Sequence, residues 1–221
     1  MSIEVETKDC TGLSDAELGE LADLCAECTI PHEIGTLTKE AEAWVLVTQA
    51  RDGGKLKGFT YSTLERIGGT PCVLIGVGAI KQNAKRDTVL RAMMAEELRR
   101  AVLAFPDEDV LVATRMRDAS PFEAFKPLFD IVPRDGHKVS GEERAWGRRL
   151  AKRFGVVPSR YGDRKFQVTG DGTAPLVFDH VSAKPSNVSD FDQFFEGLDT
   201  DNGDYLIGFG WALAEELDKL A

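Results

Sequence analysis

The stretch WVLVTQARDGGKLKGFTYSTLERIGGTPCVLIGVGAIKQNAKRDTVLRAMMAEELRRAVLA, residues 44–104, decides the fold. Three strands read off it in turn: WVLVTQA (44–50), KLKGFTYSTLERI (55–67) and PCVLIGVGAI (71–80). Asp52-Gly53-Gly54 and Gly68-Gly69 between them are hairpin signals, so the three strands are neighbours in an antiparallel meander. The last, VLIGVGAI, is nearly all apolar, as for a strand covered on both faces. A short basic loop, KQNAKR (81–86), then leads to a helix that Asp87 is placed to cap. Leu90, Met94, Leu98 and Ala101 or Val102 return at helical spacing, while Arg91, Glu96, Arg99 and Arg100 face outward. A strand that delivers the chain straight to a helix N-terminus leaves unpaired N–H groups and a positive dipole end at a sheet edge. That arrangement suits an anion, usually phosphate.

Working outward, residues 3–7 (IEVET) alternate and predict a first strand. Ser14-Asp-Ala-Glu17 is a capping box that opens a helix to about Cys28, with Leu18, Leu21, Leu24, Cys25 and Cys28 on its apolar face. Pro31 and Gly35 mark a loop, and 36–43 suits a second short helix or turn. Downstream, Phe105-Pro106 ends the long helix. DVLVAT (109–114) reads as a buried strand, parallel to the one before the helix because a crossover joins them. PFEAFKPLF (121–129) has helix-like spacing interrupted at Pro127.

The character changes after Pro133. A loop (Arg134–Val139) leads to a helix, SGEERAWGRRLAKRF, capped by Ser140 and Glu143 and stopped by Gly155. KFQVTG (165–170) and APLVFDH (174–180) are short strand candidates. SDFDQFFEGL (189–198) predicts a short helix, DYLIGFG (204–210) a strand, and WALAEELDKLA (211–221) a closing helix. The expected class is α/β: a mixed sheet with an antiparallel meander, flanking helices and a C-terminal α+β extension. Residues 1–133 form the core, and 134–221 form an extension packed on the same domain.

Composition narrows the function. The 221 residues are 43% hydrophobic and 29% charged, ordinary for a globular domain. The net charge of −10 argues against a nucleic-acid partner, which calls for Lys and Arg gathered on one face. No apolar run approaches the ~20 residues of a membrane span. The acidic opening, MSIEVETKDC, lacks the basic-then-apolar order of a secretory signal, so a cytoplasmic protein is expected. Cys10, Cys25, Cys28 and Cys72 are too sparse for a disulfide framework.

Several constellations give way to plainer readings. Cys25, Cys28 and His32 have no second Cys/His pair to complete a tetrahedral zinc site, so no metal is expected. Asp199-Thr-Asp201-Asn202-Gly203-Asp204 hints at a calcium loop, but its glycine comes one residue early and Gly210 stands where a glutamate belongs; it reads as a turn. His137 and His180 have no patterned partner.

The order strand, helix, meander, basic loop, long helix, parallel strand, helix resembles the GNAT superfamily of acyl-CoA N-acyltransferases. The resemblance covers roughly residues 1–133. WVLVTQARDGGKLKGFTYS is similar to the family's hairpin, with Gly58 opening its third strand. VLIGVGAIKQNAKRDTVLRAMMAEELRRAV is similar to its cofactor strand, pyrophosphate loop and following helix. ATRMRDASPFEAFKPLFDIVP is similar to a segment of uncharacterised actinobacterial GNAT-like proteins. The resemblance implies acetyl-CoA or another acyl-CoA as co-substrate, held around Gly78, Ile80, Lys81, Gln82, Lys85, Arg86, Asp87 and Thr88. It implies a small-molecule or protein amine as acceptor, with no nucleic acid or membrane partner; a homodimer stays open. Setting the family's Gln/Arg-x-x-Gly-x-Gly/Ala loop on Gln82 places Lys85 and Asp87 where glycines belong. Phe125 falls where many members carry a proton-donating Tyr. Tyr61 is a substitute if its hydroxyl points into the cleft, and Glu65 is the base candidate. Arg115 and Arg117, after DVLVAT, either bind an acidic acceptor or solvate a strand end. The competing reading is a catalytically silent protein of the same fold that binds another ligand or a protein partner. The two absent glycines and Phe125 favour it.

Overall fold

The computed structural model describes residues 3–220. In chain order, β1 (Glu4–Asp9), α1 (Asp15–Ala26) and α2 (Ile34–Ala43) precede the meander β2 (Leu46–Asp52), β3 (Lys55–Ile67) and β4 (Thr70–Ile80). Next come α3 (Arg86–Ala104), β5 (Val110–Met116), β6 (Phe129–Val132) and α4 (Gly141–Arg153). The two-residue strands β7 (Tyr161–Gly162), β8 (Gln167–Val168) and β9 (Phe178–Asp179) follow, then β10 (Tyr205–Ala212) and α5 (Ala214–Leu220). The strands form one mixed sheet in the order β1-β2-β3-β4-β5-β10-β8-β7, with β6 paired to β10 and β9 to β4. The class is α/β, with mostly antiparallel strands and helices on both faces.

The meander forms as its turns demand. Asp52 pairs with Lys55 and Ile67 with Thr70, leaving two-residue loops in which Gly53, Gly54, Gly68 and Gly69 all have positive φ. Only a residue without a Cβ adopts that conformation freely. β4 and β5 run parallel, Cys72–Ile75 against Leu111–Thr114. Successive side chains of β3 face opposite layers. Tyr61 reaches α2, while Thr60 and Ser62 hydrogen-bond to Glu97 on α3.

Several sequence expectations need correction. The long helix starts at Arg86, and Lys85 rather than Asp87 holds the N-cap position, without a side-chain cap. Asn83 takes the Lys85 amide on its side-chain oxygen (2.7 Å) and the Arg86 amide on its carbonyl (3.2 Å), so the loop closes early. Residues 121–129 do not form an α-helix. Pro121 and Pro127 lack the N–H a continuing helix needs, and the chain makes a 3₁₀ turn (Ser120–Phe125) before entering β6. Trp211 and Ala212 belong to β10, with α5 starting at Ala214. Residues 189–198 form only a 3₁₀ turn, Ser189–Phe194. The sheet also runs across residue 133: β6 and β10 are paired neighbours, although the chain between them spans 133–204.

One irregularity in β4 reshapes the middle of the sheet. Ser62 faces Ile75 and Thr60 faces Gly78, so β4 carries one more residue than β3 over that interval. Such a bulge bends its strand and interrupts the ladder. Pairing of β4 with β5 ends at Ile75, just before it. Gly76 sits at the bulge under the Trp44 indole, where an added Cβ would lie 2.1 Å from a ring carbon. Gly76→Ala is expected to lower stability by about 1–3 kcal/mol through overpacking, read as a lower thermal midpoint. An unchanged midpoint would mean that the indole is not held against the bulge.

Candidate functional site

Beyond Ile75, β4 and β5 diverge, and the opening between them leads to the start of α3. The residues around it are those that the family resemblance assigns to an acyl-CoA. The protein's own chain fills this opening. β9 pairs in parallel with the far half of β4, Gly78 with Phe178 and Ala79 with Asp179, and also touches β5. The Gly78 amide donates to the Val177 carbonyl at 3.4 Å. Val177, Phe178 and His180 are each 1% exposed. A Cβ on Gly78 would stand 2.7 Å from the Phe178 ring, so glycine here admits a side chain of this chain. Asp179 is buried as well and accepts from the Ile30 amide at 2.7 Å. Burial raises its pKa, and hydrogen bonds from Thr29 and Ile30 only partly oppose this.

The same segment continues over the start of α3. Arg86 donates through Nε to the Val181 carbonyl (2.6 Å) and through Nη2 to the Ser182 carbonyl (3.2 Å). Asp87 accepts from the Ala183 amide at 3.1 Å. His180 Nε2 lies 3.2 Å from an Asp87 oxygen, yet neither ring nitrogen is aligned for a hydrogen bond. Burial lowers the His180 pKa, which favours the neutral ring. The amides of Arg86 and Thr88 are taken by the carbonyls of Asn83 and Lys85. The loop cations are engaged too: Lys81 pairs with Glu27, and Lys85 with Asp52 at 2.6 Å. Gln82 donates to Thr29, the Ile80 carbonyl faces the Cys28 thiol, and Thr88 accepts from Arg91. The space between β4 and β5 thus holds β9, and the amides of Arg86 and Thr88 and the side chains of Lys81 and Lys85 have partners within the chain.

The proton-handling candidates lie apart. Tyr61 is fully buried, donates to the Leu37 carbonyl at 3.3 Å, and burial pushes its phenol well above the ordinary range. Glu65 is clasped by Arg153, which donates from Nε (2.6 Å) and Nη2 (3.1 Å). Phe125 is fully buried and meets Phe122 edge-on. Arg115, in β5, is buried, whereas Arg117 lies just past the strand and is half-buried.

Two features escaped the sequence reading. Glu97, on the inner face of α3, is fully buried and accepts from Thr48, Thr60 and Ser62 at 3.0–3.2 Å. Its position three residues after Met94, on the apolar stripe, was the available signal. The second is a cavity of about 430 Å³ between α2, the end of α4 and the start of β10, with Arg115 in its wall. Among the described residues no group of three or more His, Cys, Asp and Glu is placed to hold a metal. No described helix is long and apolar enough to cross a membrane. Burial pushes the thiols of Cys10, Cys25 and Cys28 up to about 12, leaving them protonated.

No protein-family profile matches the chain, and no curated relative does. Solved structures do share part of its course. The ribosomal-protein-S18-alanine N-acetyltransferase of Escherichia coli matches at 12% identity, covering 63% of this chain and 86% of that one, with a TM-score of 0.42. The aminoglycoside 6′-N-acetyltransferase of Enterococcus faecium matches at 15% identity over 53% of this chain and 64% of that one, TM-score 0.40. An acyl-CoA N-acyltransferase of Pseudomonas aeruginosa matches at 20% identity over 51% of this chain and 79% of that one, TM-score 0.38. Likeness at this level assigns the chain to no family, and its fold class rests on its own strand order and register.

Proposed function

We propose that this chain is a binding or interaction protein built on an acyltransferase-like sheet, with residues 177–184 in the space an acyl-CoA would need. The observation that carries this is β9, seated between β4 and β5 and hydrogen-bonded to Gly78. On this reading residues 1–133 supply the core, and 134–221 close its opening and contribute β10. A cytoplasmic setting belongs to the same proposal, on the sparse cysteines.

The transferase reading, with an amine acceptor and acyl-CoA donor, requires this segment to leave. Exposing two side chains the size of Val177 and Phe178 costs about 3–6 kcal/mol. At 1.4 kcal/mol per decade, that weakens any acyl-CoA binding by about 10²–10⁴-fold. The transferase would also need Tyr61 freed from the core or Glu65 released from Arg153.

Acetyl-CoA at millimolar concentration is therefore expected to leave the thermal midpoint unchanged. A ligand at about 100 times its Kd adds about 2.7 kcal/mol of stability. For a chain of this length that raises the midpoint by roughly 5–11 °C. A rise of that size would overturn the proposal and restore acyl-CoA as a ligand.

A further inference from the structure

The end of the sheet formed by β8 and β7 carries two oppositely charged stretches side by side. Residues 134–165 hold ten lysines and arginines against four acids, whereas 185–217 hold eight acids and neither Lys nor Arg. Gln193 donates to the Asp135 carboxylate at 2.9 Å, and Gln167 donates to the Phe194 carbonyl at 2.8 Å, so the two stretches lie against each other. They share a hollow of about 250 Å³, lined by Arg164 and Lys165 from one and by Phe194 and Glu196 from the other. Pro133 and Val139 add apolar wall to it.

These opposite charges do not pair within the molecule. The exposed cations Lys138, Arg164 and Lys165 form no ion pair among the described residues, and neither do the exposed acids Asp190, Asp192 and Glu196. Each stretch is held by its own packing. Phe191 stacks on Phe122 with ring centroids 4.0 Å apart, and the basic turn is fixed by the pairing of Tyr161-Gly162 with Gln167-Val168. Other charges at this end are engaged internally: Arg148 pairs with Asp163, Arg134 and His137 both engage Glu143, and Asp135 takes the Gln193 amide. Three unpaired cations therefore stand beside three unpaired acids, around a hollow with apolar walls.

A surface of one sign suits a partner of the other, but this surface carries both. A nucleic acid or an anionic membrane would meet Asp190, Asp192 and Glu196, and a basic partner would meet Lys138, Arg164 and Lys165. Like charges set face to face are unfavourable. A second copy turned about a two-fold axis matches the surface twice, because adjacent patches of opposite sign are then self-complementary. We propose that two copies of this chain associate here, each laying its acidic turn, 190–196, on the basic turn, 163–165, of the other. Pro133, Val139 and Phe194 then lie inside a ring of charges, the usual arrangement of an interface with an apolar centre and a polar rim. The net charge of −10 on each copy opposes the approach. At about 0.1 M salt, however, charges more than about 10 Å apart are largely screened, so distant repulsion fades while touching pairs persist. Exposed ion pairs are individually weak, so the dimer is a weak, reversible one. The assignment gives the interaction reading its partner and rests on that reading for its meaning.

Sedimentation velocity of the whole protein over a concentration series tests this. A dimer and no larger species is expected at about 0.1 M salt. At about 1 M, where the screening length falls to about 3 Å, its dissociation constant should rise at least about tenfold. Arg164→Glu with Lys165→Glu, and separately Asp192→Lys with Glu196→Lys, should each leave a monomer, because each sets like charges face to face. An equal mixture of the two variants should restore the dimer. The salt series uses only the native protein, so it decides the matter even if a variant does not fold. A monomer at every concentration, whatever else it binds, would overturn the assignment. So would a dimer indifferent to salt, an open series of larger species, variants that still dimerise alone, or a mixture that stays monomeric. Acetyl-CoA, measured separately, reports only on the opening beside α3, so failure of one reading is distinguishable from failure of the other.

Discussion

Phe178→Ala should lower the unfolding free energy by about 3–5 kcal/mol, the usual range for removing a buried aromatic ring. At about 2–4 °C per kcal/mol for a chain of this length, the thermal midpoint should fall by roughly 6–20 °C. The ring is 1% exposed and rests on Gly78, where no Cβ separates it from β4. Truncation leaves a void between two strands that the bulge at Gly76–Val77 has already parted. Leu103→Ala is the control, because Leu103 is 71% exposed and such surface changes stay within about 0.5 kcal/mol. A fall no larger than the control's would mean that β9 is only loosely seated. The variant also tests what closes the opening. If acetyl-CoA stabilises Phe178→Ala but not the native protein, β9 alone keeps the cofactor out.

Glu97 offers the second large effect. Glu97→Ala orphans the buried hydroxyls of Thr60 and Ser62, at about 1 kcal/mol or more each, takes from Thr48 one of its two partners (Thr7 is the other), and leaves a cavity besides. A loss of at least about 3 kcal/mol is expected by denaturant titration. Glu97→Gln should behave differently. Burial raises the Glu97 pKa above its ordinary value of 4.5, against the pull of the three hydroxyls. The folded state therefore holds the proton more tightly than the unfolded chain. Raising the pH from 4.5 towards the folded pKa consequently weakens the fold through this group. Glutamine keeps the shape and does not titrate. The stability of Glu97→Gln relative to the native protein should thus rise with pH over this window. A relative stability independent of pH would mean that Glu97 titrates alike in the folded and unfolded states.

The meander was legible because its signals are local. Two diglycine turns fix the hairpins, and the apolar run of β4 needs burial on both faces. The parallel placement of β5 followed from the crossover through α3. What stayed hidden depends on distant partners. Nothing in APLVFDH says that its strand joins β4 rather than a neighbour in its own segment. Nothing around Asp87 says that its carboxylate serves the Ala183 amide, 96 residues away. Of the two loop departures, Asp87 meets the extension at the Ala183 amide, whereas Lys85 pairs with Asp52. The burial of Arg115 against the Phe154 ring is invisible from sequence, because it is a property of the packed neighbourhood.

The position of β10 governs the order of assembly. It lies between β5 and β8, bonded to β5 from Leu206–Met116 to Ala212–Val110, yet it is the last strand of the described chain. During translation, β5 therefore presents an unpaired border until about 90 further residues have emerged from the ribosome. Bare strand borders recruit other chains. Nascent or prematurely terminated copies should accordingly need chaperone shelter that finished molecules do not.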